Sequence, residues 1–538
     1  MSEFDYIIVG AGSAGCVLAN RLSESGRYRV LLLEAGGSDK RFWLQVPIGY
    51  GKSFYDPRVN WMYQTEPEPG LAGRGSYWPR GKVLGGSSAI NAMVYIRGQP
   101  EDYEDWQAQG NPGWAWRDLL PYFKKLEDHA WGACAHHAAG GPLHVCDVSK
   151  DVHPLCDVFI RAGQEAGLPF NGDFNGATQE GVGLYQITTR GGFRMSSARA
   201  YLWPAGTRTN LRVETHAHAT RLLFEGMRAV GVEYRRKGVR LRARAGREVI
   251  LSAGAVNSPQ LLQLSGIGPA SVLGAAGVEL RLDSPAVGRN LSDHLGVDYL
   301  YRSRRPTLNN ELYPWWGKLY AGMNYVLRRR GPLALSVNQG GGFFRTRPDL
   351  ARPNMQLYFS PVSYLKAPPG VRPLMSPDPY AAFLVGISPC RPSSRGQVRI
   401  RSADPFELPE IRPKYLSTEH DIQEMLEGVT FLRKLAATPS LSAIIEAELA
   451  PGAEVRTRDE LLDDIRKRAS TVFHPVSTCI MGPDPDRSVV DHRLRVHGLE
   501  RLRVVDASIF PTLISGNTNA PAIMVGEKGA DLVLADAR

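Results

Sequence analysis

Phe4 to Val9 reads as a short buried strand, and the six residues that follow are Gly10-Ala11-Gly12-Ser13-Ala14-Gly15. No other feature narrows the possible folds so far. Gly10 permits a tight turn, Gly12 lets a pyrophosphate approach the backbone, and Gly15 lets a helix pack against the strand. Ala14, Val17, Leu18, Ala19 and Leu22 give residues 14–25 a helical period. Ser13 and Ala14 therefore lie at a helix N-terminus, where free N–H groups and the helix dipole favour phosphate. Arg29 to Leu33 is a second apolar run, ending in Glu34-Ala35-Gly36-Gly37. Glu34 lies 19 residues beyond Gly15. A carboxylate there accepts hydrogen bonds from ribose hydroxyls and repels a 2′-phosphate. Strand, glycine loop, helix and strand make the opening βαβ unit of a doubly wound sheet. The loop alone does not separate FAD from NAD.

The remaining length, to 538 residues, calls for two or three structural units. Pro, Gly and Trp are frequent between 43 and 116, which predicts long ordered loops over a site. Short strands are expected at Leu211–Val213, Ala229–Val232 and Val249–Leu251. Residues 301–465 have a different character: Tyr and Trp clusters, a Pro-rich stretch at 367–379, strand-like segments near 355–359 and 397–401, and a helix from about 419 to 437. A strand at 502–505 and a helix over 522–535 close the chain. The dinucleotide domain is therefore expected to be discontinuous, built from 1–150, 198–300 and 466–538. Residues 151–197 and 301–465 would form the second domain.

Composition excludes several classes. The six cysteines form no CxxC pair, so a disulfide framework or a zinc site is not expected, and a reducing compartment fits. Residues 1–20 carry no basic n-region, so no signal peptide is expected. No apolar run approaches a membrane span. The net charge is +10, with basic runs at 235–247 and 328–330. No nucleic-acid motif accompanies them, so they read as a solvated Arg-rich surface and nucleic acid is not an expected partner. A cytoplasmic protein is expected; a peripheral place at the inner face of the cell membrane is compatible with the charge.

Two further segments identify the cofactor. Gly81-Lys82-Val83-Leu84-Gly85-Gly86-Ser87-Ser88-Ala89-Ile90-Asn91-Ala92-Met93-Val94-Tyr95 and Gly254-Ala255-Val256-Asn257-Ser258-Pro259-Gln260-Leu261-Leu262-Gln263-Leu264-Ser265-Gly266-Ile267-Gly268 resemble the two signatures of the glucose–methanol–choline (GMC) oxidoreductases. The resemblance runs from Asp5 to the C-terminus and is nearest to choline dehydrogenases and bacterial FAD alcohol dehydrogenases. It implies an α/β fold (α+β overall), with a Rossmann-like FAD domain and a discontinuous substrate domain on an antiparallel sheet with helices.

It also implies FAD contacts. These are Gly10, Gly12, Ser13, Ala14, Gly15, Glu34 and Ala35 at one end; Val83, Gly86, Ser87, Asn91, Ala92, Met93 and Val94 along the flavin; and Ala219, Ala253, Asp506, Ala507 and Asn517. Some relatives attach FAD covalently through a histidine where this chain has Ile90, so non-covalent FAD is expected. No metal is expected.

Phe473-His474-Pro475 and Asn517-Thr518-Asn519-Ala520-Pro521 resemble the family's catalytic segments. The resemblance implies that His474 faces flavin N5 and accepts the alcohol proton, with Asn519 as its partner. Hydride removal from an alcohol carbon leaves an oxygen that must lose a proton, and a neutral imidazole suits that task. An amide can donate to the developing alkoxide without carrying charge. The other eleven histidines, His136-His137 and His294 among them, read as structural.

The expected activity is oxidation of a primary alcohol to an aldehyde, with electrons passed to a quinone or another acceptor. Val472 matches a place linked to oxygen access in relatives, so an oxidase releasing hydrogen peroxide is the alternative. The fold also hosts a hydroxynitrile lyase and a light-driven fatty-acid decarboxylase. Tyr313-Pro314-Trp315-Trp316 and Leu335–Gln339 are expected to line the second domain's face of the pocket. Neither the alcohol nor the oligomeric state is legible.

Overall fold

A computed structural model describes residues 2–364 and 376–537. Strand β1 (Ser2–Val9) enters the glycine loop, helix α1 (Ser13–Ser23) leaves it, and β2 (Val30–Leu33) returns parallel to β1. α1 buries Val17, Leu18 and Leu22 completely, each worth about 1.5–3 kcal/mol relative to exposure. β3 (Gly181–Leu184) belongs to a second sheet. Next come β4 (Leu211–Glu214), then β5 (Ala217–Glu225), β6 (Arg228–Arg236) and β7 (Val239–Leu251), an antiparallel meander. α2 (Gly254–Leu264) follows β7. The first sheet runs β4-β2-β1-β7-β6-β5. Its first four strands are parallel and β1 sits central and apolar, as in a sheet covered on both faces.

The second sheet takes β8 (Leu295–Ser303), β9 (Gly340–Phe344), β10 (Met355–Ser360), β11 (Ala382–Pro389) and β12 (Ile445–Ala450). Helix α3 (Trp315–Arg328) lies between β8 and β9, and α4 (Glu419–Ala436) packs on β11. The order β12-β8-β11-β10-β9-β3 is antiparallel throughout. β8 begins at Leu295, before the expected boundary at 301, because it leads directly out of Asp293-His294. The short β13 (Ser470–Thr471), expected in the other unit, also pairs with β8.

β14 (Leu502–Val504) returns to the first sheet beside β7, and α5 (Asn519–Asp536) closes the chain against α1. A Cβ on Gly526 would stand 3.0 Å from Ala14 Cα, so a glycine is what lets these helices touch. All six cysteines are free. No described helix is long and apolar enough to cross a membrane. Part of the Pro-rich stretch, 367–375, lies outside the described residues.

Candidate active site

The glycine loop is a knot of backbone contacts. A Cβ on Gly15 would lie 1.9 Å from Gly10 O, and one on Gly10 would lie 2.8 Å from Ala253 Cα. The segment after Gly81 crosses this loop. Gly85 N–H donates to Ala11 O at 2.8 Å, and a Cβ on Gly86 would stand 2.7 Å from Gly12 Cα. Val83 is fully buried and bridges to Gly37 at the end of β2, beyond Ala35. Ser87 Oγ accepts from Gly81 N–H. The sequence motifs at 10–15, 81–95 and 253–268 thus converge.

Two helix N-termini meet here. Ser13 Oγ, at the start of α1, donates to Asn519 Oδ1, at the start of α5, at 2.8 Å. Neither helix has an acidic residue in its first turn or a capping side chain. Two uncapped positive ends facing one another fit a pyrophosphate. Glu34 accepts from Gly36 N–H at 2.7 Å and Ala11 N–H at 3.0 Å. Burial raises its carboxyl to about 7 against those two bonds. Ala219 follows on β5, whose Ala217 N–H donates to Glu34 O. Asp506 accepts from Gly254 N–H, Ser258 Oγ and Ser508 N–H, so it pins α2 to the turn at Ala507.

From the loop the 81–95 segment leads towards His474. Asn91 Oδ1 accepts from Met93 N–H and from the guanidinium of Arg194. Burial lowers Arg194 to about 9. Nothing in the sequence around Arg194 marks it. Ala92 packs against the apolar cluster beneath α3, Met93 packs with Leu335, and Val94 bridges to Ile187.

His474 N–H donates to Asp293 Oδ1 at 2.7 Å. Asp293, also bonded by Thr471 and Tyr415, is raised by burial to about 6. Phe473 sits at φ +70°, a strained conformation for a non-glycine residue, and Arg80 donates to its carbonyl at 2.7 Å. The imidazole of His474 lies between two partners. His294 Nδ1 is 2.9 Å from His474 Nδ1, and Asn517 Nδ2 is 3.2 Å from His474 Nε2. His294 Nε2 lies 2.8 Å from Cys390 O, which can only accept. Burial pulls His294 down to about 4, so it is neutral, with its proton on Nε2 and Nδ1 bare. His474 must then donate from Nδ1, leaving Nε2 as an acceptor. Burial, with His294 and Arg80 adding to it, pushes His474 well below its ordinary pKa.

The partner of His474 is therefore not the expected Asn519. It is Asn517, expected among the FAD contacts. Asn517 precedes α5, and Gln356 on β10 donates to its Oδ1 at 3.1 Å, turning its amide nitrogen towards His474. Asn519 lies in the first turn of α5 and faces Ser13. His294, read as structural, is in contact with the imidazole. Its adjacency to Asp293 was the available signal, since Asp293 holds the backbone of His474.

Tyr313, Trp315 and Trp316, expected at the pocket, are open to solvent among the described residues; Trp315 is 76% exposed and Trp316 60%. Leu335, Ser336, Val337 and Gln339, expected on the same face of the pocket, are buried. His137, read as structural, is buried between Glu127 and Asp173. Glu127, His129 and His137 come close enough to hold a metal. The guanidinium of Arg97, 2.6 Å from Glu127, already supplies the positive charge there.

A doubly wound sheet with a phosphate-binding loop, joined to a second sheet carrying a buried imidazole–amide pair, defines a dinucleotide-dependent oxidoreductase. The GMC oxidoreductase N-terminal family model matches residues 4–296 and the C-terminal model residues 392–526. The chain belongs to the GMC oxidoreductase family, and its cofactor is FAD. It is 45% identical to an alcohol dehydrogenase [acceptor] of Pseudomonas putida, over 99% of this chain and 96% of that protein. It is 45% identical to the mitochondrial choline dehydrogenase of Homo sapiens, over 99% of this chain and 90% of that one. The crystal structure of pyridoxine 4-oxidase from Mesorbium loti superposes with a TM-score of 0.88 at 34% identity, covering 98% of each chain.

Proposed function

We propose that this protein oxidises a primary alcohol to the aldehyde, with His474 as general base, and passes the electrons to a quinone or other acceptor. The observation that carries the reading is the hydrogen-bond chain Cys390 O, His294, His474, Asn517. It leaves His474 Nε2 as a lone pair beside an amide donor. An alcohol hydroxyl entering between them would take the place of Asn517 Nδ2 at that lone pair and give its proton to Nε2, and Asn517 Nδ2 would then donate to the oxygen as charge develops. His294 acts as a positioning residue, because a proton on its Nε2 forces the useful tautomer of His474. FAD, when bound, supplies the hydride acceptor. Ser13 and the amino ends of α1 and α5 would hold its pyrophosphate. Residues 85–94 contain no histidine, cysteine or tyrosine, so FAD would be held without a covalent bond. Acid precipitation should release all the flavin to the supernatant.

Relatives named for an acceptor and for choline support the alcohol class. Anaerobic stopped-flow mixing with a series of alcohols should bleach the flavin, and His474→Ala should keep FAD but lose bleaching by orders of magnitude. Near-normal bleaching would remove His474 from its role. Val472, packed against Val94 and Ile96 in one apolar cluster, favours a second reading as an oxidase. One mole of peroxide per mole of aldehyde in air would establish that reading.

A further inference from the structure

We propose that Arg194 sets the reduction potential of the bound flavin, acting through Asn91 as a positioning residue. The Arg194 guanidinium is 1% exposed. Its hydrogen bonds reach only neutral oxygens: Nη1 donates to Asn91 Oδ1 at 2.7 Å and Ser88 O at 3.3 Å, and Nη2 to Pro47 O at 3.1 Å. Nε is buried with no partner. Among the described residues two other arginines are as deeply buried, and each holds a carboxylate. Arg97 has Glu127 at 2.6 Å, and Arg503 has Glu248 at 2.6 Å and Asp536 at 2.7 Å. A buried cation is costly to keep without a counter-charge, and no described acid supplies one to Arg194.

The surroundings of Arg194 point to the missing charge. Residues 187–197 brace the segment at 85–95: Thr188 N–H donates to Met93 O and Ser197 N–H to Ser88 Oγ, both at 2.9 Å. Asn91 and Ala92 are partly open, between the buried Ile90 and Met93. Asn91 Oδ1 receives both Met93 N–H and Arg194, which fixes the amide and leaves Nδ2 with no acceptor among the described residues. A charge-assisted bond to the oxygen polarises the amide and strengthens that donor. The inference rests on the expected lie of the flavin along 83–94. Alcohol oxidation moves two electrons and one proton to the flavin as hydride, while the hydroxyl proton goes to His474. One negative charge is thereby left on the flavin, and a cation relayed through Asn91 favours it. The pyrophosphate is anionic in both redox states, so a cation serving it would tighten binding and leave the potential alone.

The test measures the midpoint potential of the FAD-loaded enzyme, reduced by xanthine and xanthine oxidase against a reference dye, with no alcohol present. Arg194→Gln should lower the equilibrium constant for reduction at least tenfold, about 30 mV for a two-electron couple. Arg194→Lys keeps the charge and should recover part of that loss. Asn91→Ala removes the relay; it should lower the potential and also shift the visible spectrum of the flavin. A wild-type potential in Arg194→Gln would overturn the proposal, as would FAD loss from that variant with an unchanged potential in the fraction still loaded. Should Arg194→Gln fail to fold, Asn91→Ala decides: a shifted spectrum with a wild-type potential overturns the role of Arg194 alone. An unchanged spectrum and an unchanged potential there would overturn the expected lie of the flavin, and the proposal with it.

Discussion

At the scale of single residues, the proposed base is defined by its neighbours more than by its own position. His294 and Cys390 O decide which nitrogen of His474 carries the proton. Replacing His294 with Ala removes that constraint and should slow flavin reduction; His294→Asn, which offers an amide oxygen in place of Nδ1, should recover part of it. Stopped-flow traces for both variants across pH would separate positioning from folding. Because burial holds His474 well below its ordinary value, the imidazole stays neutral as pH falls through 6.5. The acid limb of the reduction rate should therefore lie below pH 6.5, and in His294→Asn its position reports the new partner. The two asparagines should separate cleanly. Asn517→Ala is expected to keep FAD and lose about 10²-fold in reduction rate, as for loss of one donor to a developing oxyanion. Asn519→Ala is expected to lose FAD affinity instead, read by flavin release on dilution. Residue types alone could not distinguish these asparagines. They stand two apart, on either side of a helix start, and only the backbone decides which one turns to His474.

At the scale of elements, β1, the glycine loop and α1 were legible because local sterics dictate them. Gly15 has no room for a methyl group, since Gly10 O would lie 1.9 Å from it. Gly15→Ala should cost several kcal/mol or expel FAD, because overpacking against backbone cannot relax by a rotamer change. Thermal melts with flavin fluorescence would show it. α3 was misread for the opposite reason. An apolar run declares that it avoids water but not what it avoids water with, and Trp315-Trp316, assigned to a pocket, stand exposed among the described residues. The Arg97–Glu127–His137–Asp173 network was invisible because its members come from four separate stretches. Burial opposes charge on His137, but its bonds to Asp173 and Glu127 outweigh burial and raise it to about 9. A histidine raised in the fold stabilises fully below its ordinary pKa of 6.5, and that contribution is lost as pH rises through about 9. Urea midpoints for wild type and His137→Gln should differ most near pH 6 and converge near pH 10.

At the scale of the whole molecule, the two sheets divide the labour. The parallel sheet carries the glycine loop proposed for the cofactor's phosphates, and the antiparallel sheet brings Gln356 to Asn517 and, through the strand at Leu295, His294 to His474. The sequence motifs reported the first sheet well, since phosphate binding is done by adjacent residues. Of the second sheet, the strand at 355–360 and the helix packed on that sheet were legible, but its site contacts were not, because they join residues about a hundred or more positions apart. One feature of the first sheet also bears on how the protein is made. β14 and α5, from the last forty residues, complete the layer around β1 and α1, from the first twenty-five. On the ribosome, the glycine-loop side of the proposed flavin site therefore waits, unclosed, while the whole stretch from α1 to α5 is synthesised. Cofactor capture cannot be complete before α5 has left the ribosome, and chaperone supply and flavin supply should limit its yield together.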